Sequence, residues 1–326
     1  MSDLKEKAQE KLKSAGKKAG IAAIAAYPVL MGAATCGIAL YTSHPMFQPE
    51  ALTEPLSKFS GRVSPRMWDS YQKDETRIKT DDGKSLYAVR IRCPEKFRCK
   101  DGKDRAVISV HGVGVSHVTN IRYLRMFLEA GFDVIYYDQR NQGHSDKAHA
   151  TMGCMESRDL ANVCKWVRSL YVNGVILGLQ GESMGAATVL LYASTDPDLA
   201  FVIEDCGYSD VHDLFGWIAK TYMPVFWFAP MYTGAKMLSK YRGFTYDDAS
   251  PIKSVEKYPA SLPVYFAHGA WDFFIPNRMA KEMYDKKQGE KRMKIYPHAI
   301  HALSIDMNRK EYTADIRKFL KDENII

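Results

Sequence analysis

From residue 75 onward, short apolar runs alternate with amphipathic stretches. Val107-Ile108-Ser109-Val110, Val134-Ile135-Tyr136-Tyr137 and Val264-Tyr265-Phe266-Ala267 are almost continuously hydrophobic, as expected of strands covered on both faces. Strands are predicted over 75–80, 85–92, 105–112, 133–140, 175–182, 201–207, 263–270 and 293–296. Asp81-Asp82-Gly83-Lys84 separates the first two and is a hairpin signal. Apolar positions recur at helical spacing over 118–130, 156–171, 184–193, 277–287 and 309–321. One hairpin followed by alternating strand and helix predicts an α/β fold, with an eight-stranded, mostly parallel sheet and helices on both faces.

Residues 209–250 break this rhythm. Phe215, Trp217, Tyr222, Phe226, Trp227, Phe228, Tyr232, Tyr241, Phe244 and Tyr246 crowd into them. The segment is expected to form short helices inserted at the carboxyl ends of strands, where a cap over a site would sit.

The N-terminus follows a third pattern. Residues 1–18 hold six lysines against Asp3, Glu6 and Glu10, and no charged residue then occurs before Glu50. Within that gap, residues 19–41 (Ala19 to Tyr41) form a run of 23 residues, about 34 Å as a helix. That length suffices for a hydrocarbon core of about 30 Å. A transmembrane anchor is predicted there, retained because the apolar run exceeds that of a cleaved signal peptide. Ala33-Ala34-Thr35-Cys36 is a poor lipoprotein cleavage site. Lysines on the near flank place the N-terminus in the cytoplasm and the rest of the chain outside. Residues 42–70, with Pro45, Pro49, Pro55 and Pro65, are expected to be a stalk, leaving 71–326 as the catalytic domain.

The chain of 326 residues is 46% hydrophobic and 25% charged, which excludes a wholly disordered or fibrous protein. A mean hydropathy of −0.30 excludes a polytopic membrane protein but not one span. The net charge of +7 includes +3 from residues 1–18 and calls for no nucleic acid. Of six cysteines, Cys36 falls in the predicted span, and the remaining five cannot all pair. Cys93 and Cys99 flank a turn closely enough for a bridge, though two free thiols fit equally. No cysteine or histidine spacing supports zinc.

Gly181-Glu182-Ser183-Met184-Gly185 places G-x-S-x-G between an apolar strand and a helical run. A serine on such a turn needs small neighbours two residues either side, and the following helix points N–H groups at a developing oxyanion. A hydroxyl needs a positioned base, itself oriented by an acid. An elbow of this kind is followed in chain order by the acid and then the histidine. Asp272, just past the 263–270 strand, and His301, after the last strand, fit that order. His298 competes with His301, and Glu204 and Asp205 at an earlier strand end compete with Asp272. Two oxyanion donors are expected, the N–H of Met184 and that of Val113 in His111-Gly112-Val113-Gly114. His111 is expected to order that loop, Asp138 to Ser145 to brace the sheet's carboxyl edge, and His144 to be structural.

HG-x-G, D-x-R-N-x-G-x-S, GESMGAAT, EDCGYS, HG-x-x-D-x-x-x-P and HA-x-S occur in this order. With them the chain from about Tyr71 onward resembles the α/β-hydrolase fold. It is most similar to membrane-anchored bacterial hydrolases related to carboxylesterases and prolyl-aminopeptidase-like enzymes. Asn141 and Gln142 depart from the Gly and His commoner in that family. The resemblance implies serine hydrolysis through an acyl-enzyme on Ser183, His301 and Asp272, without cofactor or metal. The expected substrate is a small-molecule ester or acyl compound, with amphiphilic or cell-envelope esters favoured by the anchor. A peptidase or acyltransferase on the same residues is the alternative, and an inactive anchored binding protein a third reading.

Overall fold

The computed structural model describes residues 68, 70–222, 232–234, 236–237, 239–241 and 243–326. The predicted head, the span at 19–41, Cys36 and nearly all of the stalk lie outside the described residues. Among the described residues no helix is long and apolar enough to cross a membrane.

All eight predicted strands form: β1 (Lys73–Lys79), β2 (Ser85–Ile91), β3 (Arg105–Val110), β4 (Asp133–Tyr137), β5 (Ile176–Glu182), β6 (Phe201–Asp205), β7 (Val264–Gly269) and β8 (Lys291–Tyr296). They make one sheet in the order β1-β2-β4-β3-β5-β6-β7-β8. β2 is antiparallel to both β1 and β4, and every later pair is parallel. β3, β4 and β6 are buried along their whole length and β5 everywhere but Ile176, which is why their sequences are dominated by apolar residues. β8 starts two residues before its predicted start because Lys291 and Arg292, suited to an exposed sheet edge, mask the pattern.

The helices are α1 (Leu124–Glu129), α2 (Cys154–Ser169), α3 (Met184–Ala193), α4 (Val211–Tyr222), α5 (Pro251–Val255), α6 (Arg278–Lys286), α7 (Ser304–Met307) and α8 (Arg309–Asp322). The helix predicted over 118–130 is divided into a single α-helical turn at His117–Asn120, a 3-10 turn at Ile121–Tyr123, and α1. Polar anchoring explains the break: Asn120 reaches inward to donate to Ser109 Oγ at 3.0 Å. α2 starts earlier than predicted because the Glu156 carboxylate accepts from the Gly153 and Thr151 N–H groups, capping the turn.

One face of the sheet is packed by α2, α3, α5 and α6 through residues such as Leu160, Val189, Val255 and Met283. The other is packed by α1 and α8 through Phe127, Tyr312, Ile316 and Phe319. A third apolar cluster docks the cap insertion, through Val211, Leu214, Phe244 and Tyr246, onto Met184 and Ala187 of α3. Cys93 and Cys99 are separate thiols, directed at the carbonyls of Leu128 and Ala130.

Candidate active site

Ser183 sits between β5 and α3 with φ 56° and ψ −121°. A non-glycine residue held there stores strain of about 1–3 kcal/mol, so the surroundings must hold it. They do so by close backbone approach. A Cβ on Gly181 would lie 2.3 Å from Gly185 O, and one on Gly185 would lie 2.1 Å from Val110 O. The Ser183 N–H donates to Asp205 O at 2.9 Å, tying the turn to the end of β6.

The loops after β7 and β8 bring Asp272 and His301 to this serine from 89 and 118 residues away in sequence. His301 Nε2 lies 3.0 Å from Ser183 Oγ, and its Nδ1 lies 2.7 Å from Asp272 Oδ2. The other oxygen, Asp272 Oδ1, accepts from the N–H groups of Phe274 (3.0 Å) and Ile275 (2.8 Å). Burial pushes the Asp272 carboxyl up, but His268 and His301 beside it outweigh that and bring it down to about 2. An ionised Asp272 holds the proton of His301 on Nδ1 and leaves Nε2 to take a proton from the hydroxyl. His298 is turned elsewhere: it has φ 60° and stacks edge-on against Trp271 at 4.8 Å.

Neither alternative acid bonds His301. Asp205 accepts from Ser304 Oγ (3.0 Å) and the Tyr123 hydroxyl (3.1 Å). Glu204 accepts from the Gly207 N–H at 2.8 Å, and burial pushes its carboxyl up to about 7. The bond from Ser304 to Asp205 gives HA-x-S a physical role, because it fastens the histidine loop to the end of β6.

The loop after β3 runs beside the nucleophile. A Cβ on Gly112 would stand 3.3 Å from Ser183 Cβ, so Val113 directly follows a residue that lies against the serine. Met184 opens α3. His111 Nδ1 pairs with Gly112 O at 2.7 Å, and Nε2 accepts from the Gln139 N–H at 3.0 Å. Burial lowers its pKa, and its two ring bonds tie the loops together. Asp138 accepts from the N–H groups of His117 and His144, each at 2.8 Å, clamping the β3 and β4 loops together. The His144 ring lies edge-on to Tyr87 at 4.9 Å.

Several residues around the triad were not assigned a role from the sequence. His268 Nε2 lies 3.3 Å from Asp272 Oδ2 and 2.9 Å from Ile275 O, bracing the acid from behind. Buried Arg122 pairs with Glu182 and, at 2.8 Å, with Asp306, joining the nucleophile strand to α7. Cys206, fully buried with φ 52°, follows β6. Arg122 acts across elements distant in sequence, so no local spacing marks it, whereas His268 meets Asp272 four residues on, within HG-x-x-D, and Cys206 lies in EDCGYS.

A model of the α/β hydrolase fold family matches residues 105–231. An uncharacterised protein of Bacillus subtilis, YqkD, is 30% identical over 222 residues, covering 67% of this chain and 72% of its own. Among solved structures, the Pyrococcus furiosus esterase Pf2001 superposes with a TM-score of 0.61 at 20% identity, over 80% of this chain and 96% of that one. An acylaminoacyl peptidase of Pyrococcus horikoshii gives 0.59 at 15% identity, over 77% of this chain and 41% of that one. At such identities these two share the fold. The strand order, the elbow at Ser183, the family match and the Bacillus relative agree, and the chain belongs to the α/β-hydrolase superfamily.

Proposed function

We propose that this hydrolase-fold protein is a membrane-anchored serine hydrolase that cleaves carboxylic esters carrying an apolar acyl group. The relay from Ser183 Oγ through His301 to Asp272, at 3.0 Å and 2.7 Å, carries the reading. Ser183 Oγ attacks the ester carbonyl as His301 Nε2 takes its proton. The N–H groups of Val113 and Met184 hold the oxyanion. The intermediate collapses to an acyl-serine, and His301 returns the proton to the leaving alcohol. Water, deprotonated by the same nitrogen, then releases the acid. Asp272 stays ionised throughout and orients the imidazole.

The rim supports an apolar acyl group. Trp271 (50% exposed), Phe273 (67%), Phe274 (45%) and Ile300 (44%) flank Asp272 and His301. Large apolar side chains left in water beside a nucleophile suit a greasy substrate better than a peptide. An aminopeptidase would need a carboxylate placed to hold the substrate amine, and both Glu204 and Asp205 are fully buried. The proposed anchor at 19–41 would hold this rim near a bilayer, where amphiphilic esters concentrate.

A fluorophosphonate probe on the full chain in detergent tests the chemistry. Wild type should label and Ser183→Ala should not; equal labelling removes Ser183 as the nucleophile. A series of p-nitrophenyl esters against aminoacyl amides tests the substrate class. Turnover should rise with acyl length, and faster turnover of the amides would overturn the esterase reading.

A further inference from the structure

We propose that Cys206, Asp272 and His301 form a capture site for a soft divalent cation, Zn2+ or Cd2+, which reversibly switches off the hydrolase reading given above. The three residues come from the ends of β6, β7 and β8. One donor atom from each, a thiol sulfur, a carboxylate oxygen and a ring nitrogen, lies within 4.8 Å of the other two. A tetrahedral ion with ligands at about 2.0–2.3 Å needs donors about 3.3–3.8 Å apart, so the three side chains must close on it by about 1 Å.

The donor set selects the ion. Sulfur with imidazole favours Zn2+ and Cd2+ over Mg2+ and Ca2+, which prefer oxygen cages. Electrostatics agree, because thiolate and carboxylate together neutralise a divalent charge in a site where Cys206 and Asp272 are buried. His301 is only partly buried and opens the way in. Binding releases one proton, from the Cys206 thiol to solvent, and no electron is transferred.

The consequence for catalysis follows from the tautomer. An ion on Nε2 occupies the lone pair that would receive the Ser183 proton. An ion on Nδ1 drives the ring proton to Nε2, which then faces Ser183 Oγ as a donor. Either way His301 ceases to be a base, and Asp272 is drawn from its role at Nδ1. Cys206 itself has no place in acyl transfer. Burial and the nearby carboxylates of Asp205 and Asp272 keep its thiol protonated when no ion is present.

The test uses two readouts on the full chain in detergent. Cd2+ titrated into Ser183→Ala should raise ultraviolet thiolate-to-metal absorption to one equivalent above that of Ser183→Ala/Cys206→Ala. This readout needs no turnover, so it stands if the serine-hydrolase reading fails. In ester hydrolysis, micromolar Zn2+ should lower wild-type turnover by about tenfold or more, EDTA should restore it, and millimolar Mg2+ should do nothing. Cys206→Ala should keep basal turnover within about twofold and need about tenfold more Zn2+ for the same inhibition. If Cys206→Ala misfolds, Cys206→Ser, with a hard oxygen in place of sulfur, carries the comparison. Equal Cd2+ absorption with and without Cys206, or equal Zn2+ inhibition, overturns the site.

Discussion

At the scale of single residues, the elbow is held by contact distance. A Cβ on Gly185 would press on the Val110 carbonyl, part of a fully buried strand that cannot yield as a flexible side chain could. Gly185→Ala should therefore cost about 3 kcal/mol or more in urea unfolding and abolish probe labelling. Gly216 in α4 is the contrast, since nothing lies within 4 Å of a Cβ built there. Gly216→Ala should stabilise by about 0.5–1 kcal/mol through helix propensity, and a loss at both positions would refute the distinction. Asp138 supplies a pH signature away from the triad. Burial raises its pKa, but His117 and His111 beside it bring the carboxyl from 3.8 to about 2. A folded-state pKa below the unfolded value gives stability that is present above about pH 4 and lost as pH falls through about 2. That shift corresponds to about 2 kcal/mol. The stability gap between wild type and Asp138→Asn should shrink by that amount between pH 4 and pH 2; a constant gap would sink the assignment.

At the scale of elements, the cap is tied to the acid loop at one atom. Trp217 Nε1 (3.3 Å) and the Tyr222 hydroxyl (2.7 Å), both on α4, donate to Phe273 O, beside Asp272. Two hydrogen bonds at about 0.5–1.5 kcal/mol each set the scale of the effect. Trp217→Phe with Tyr222→Phe should raise KM for long-chain esters by about three- to tenfold and leave kcat on a short ester nearly unchanged. An equal fall in kcat on both would make the tie part of the catalytic geometry instead. The central strands were legible because burial on both faces leaves apolar runs, and the two charged edge strands, β1 and β8, each begin two residues before their predicted starts. The helix over 118–130 misled because Asn120, Arg122 and Tyr123 obey tertiary partners rather than helical spacing. Ser183, Asp272 and His301 were nameable from motifs next to strand ends. Arg122 was not, since Glu182 and Asp306 come from other elements and only folding brings them near; His268 and Cys206 stand inside HG-x-x-D and EDCGYS, but those spacings assign them no role.

At the scale of the whole molecule, the charge is unevenly placed. Six lysines precede an uncharged stretch that runs to Glu50, and the opposite flank has almost no cations. Retaining lysines on one side of a span costs less than moving them through hydrocarbon, where each charge costs about 2.5–3.5 kcal/mol on insertion scales. The proposed topology therefore keeps residues 1–18 inside and the hydrolase domain outside. The apolar rim at Trp271, Phe273, Phe274 and Ile300 gives this arrangement a use, since a tethered domain searches the membrane surface rather than bulk water. Protease added to intact cells should remove the domain and leave a short cell-associated fragment bearing the N-terminus. Replacing the six lysines with glutamate should lower the fraction of domain that is accessible, because the inside signal is then gone. Full protection of the wild-type domain, with cleavage only after lysis, would refute the outward orientation. Release of the intact chain into the medium without protease would refute the anchor itself.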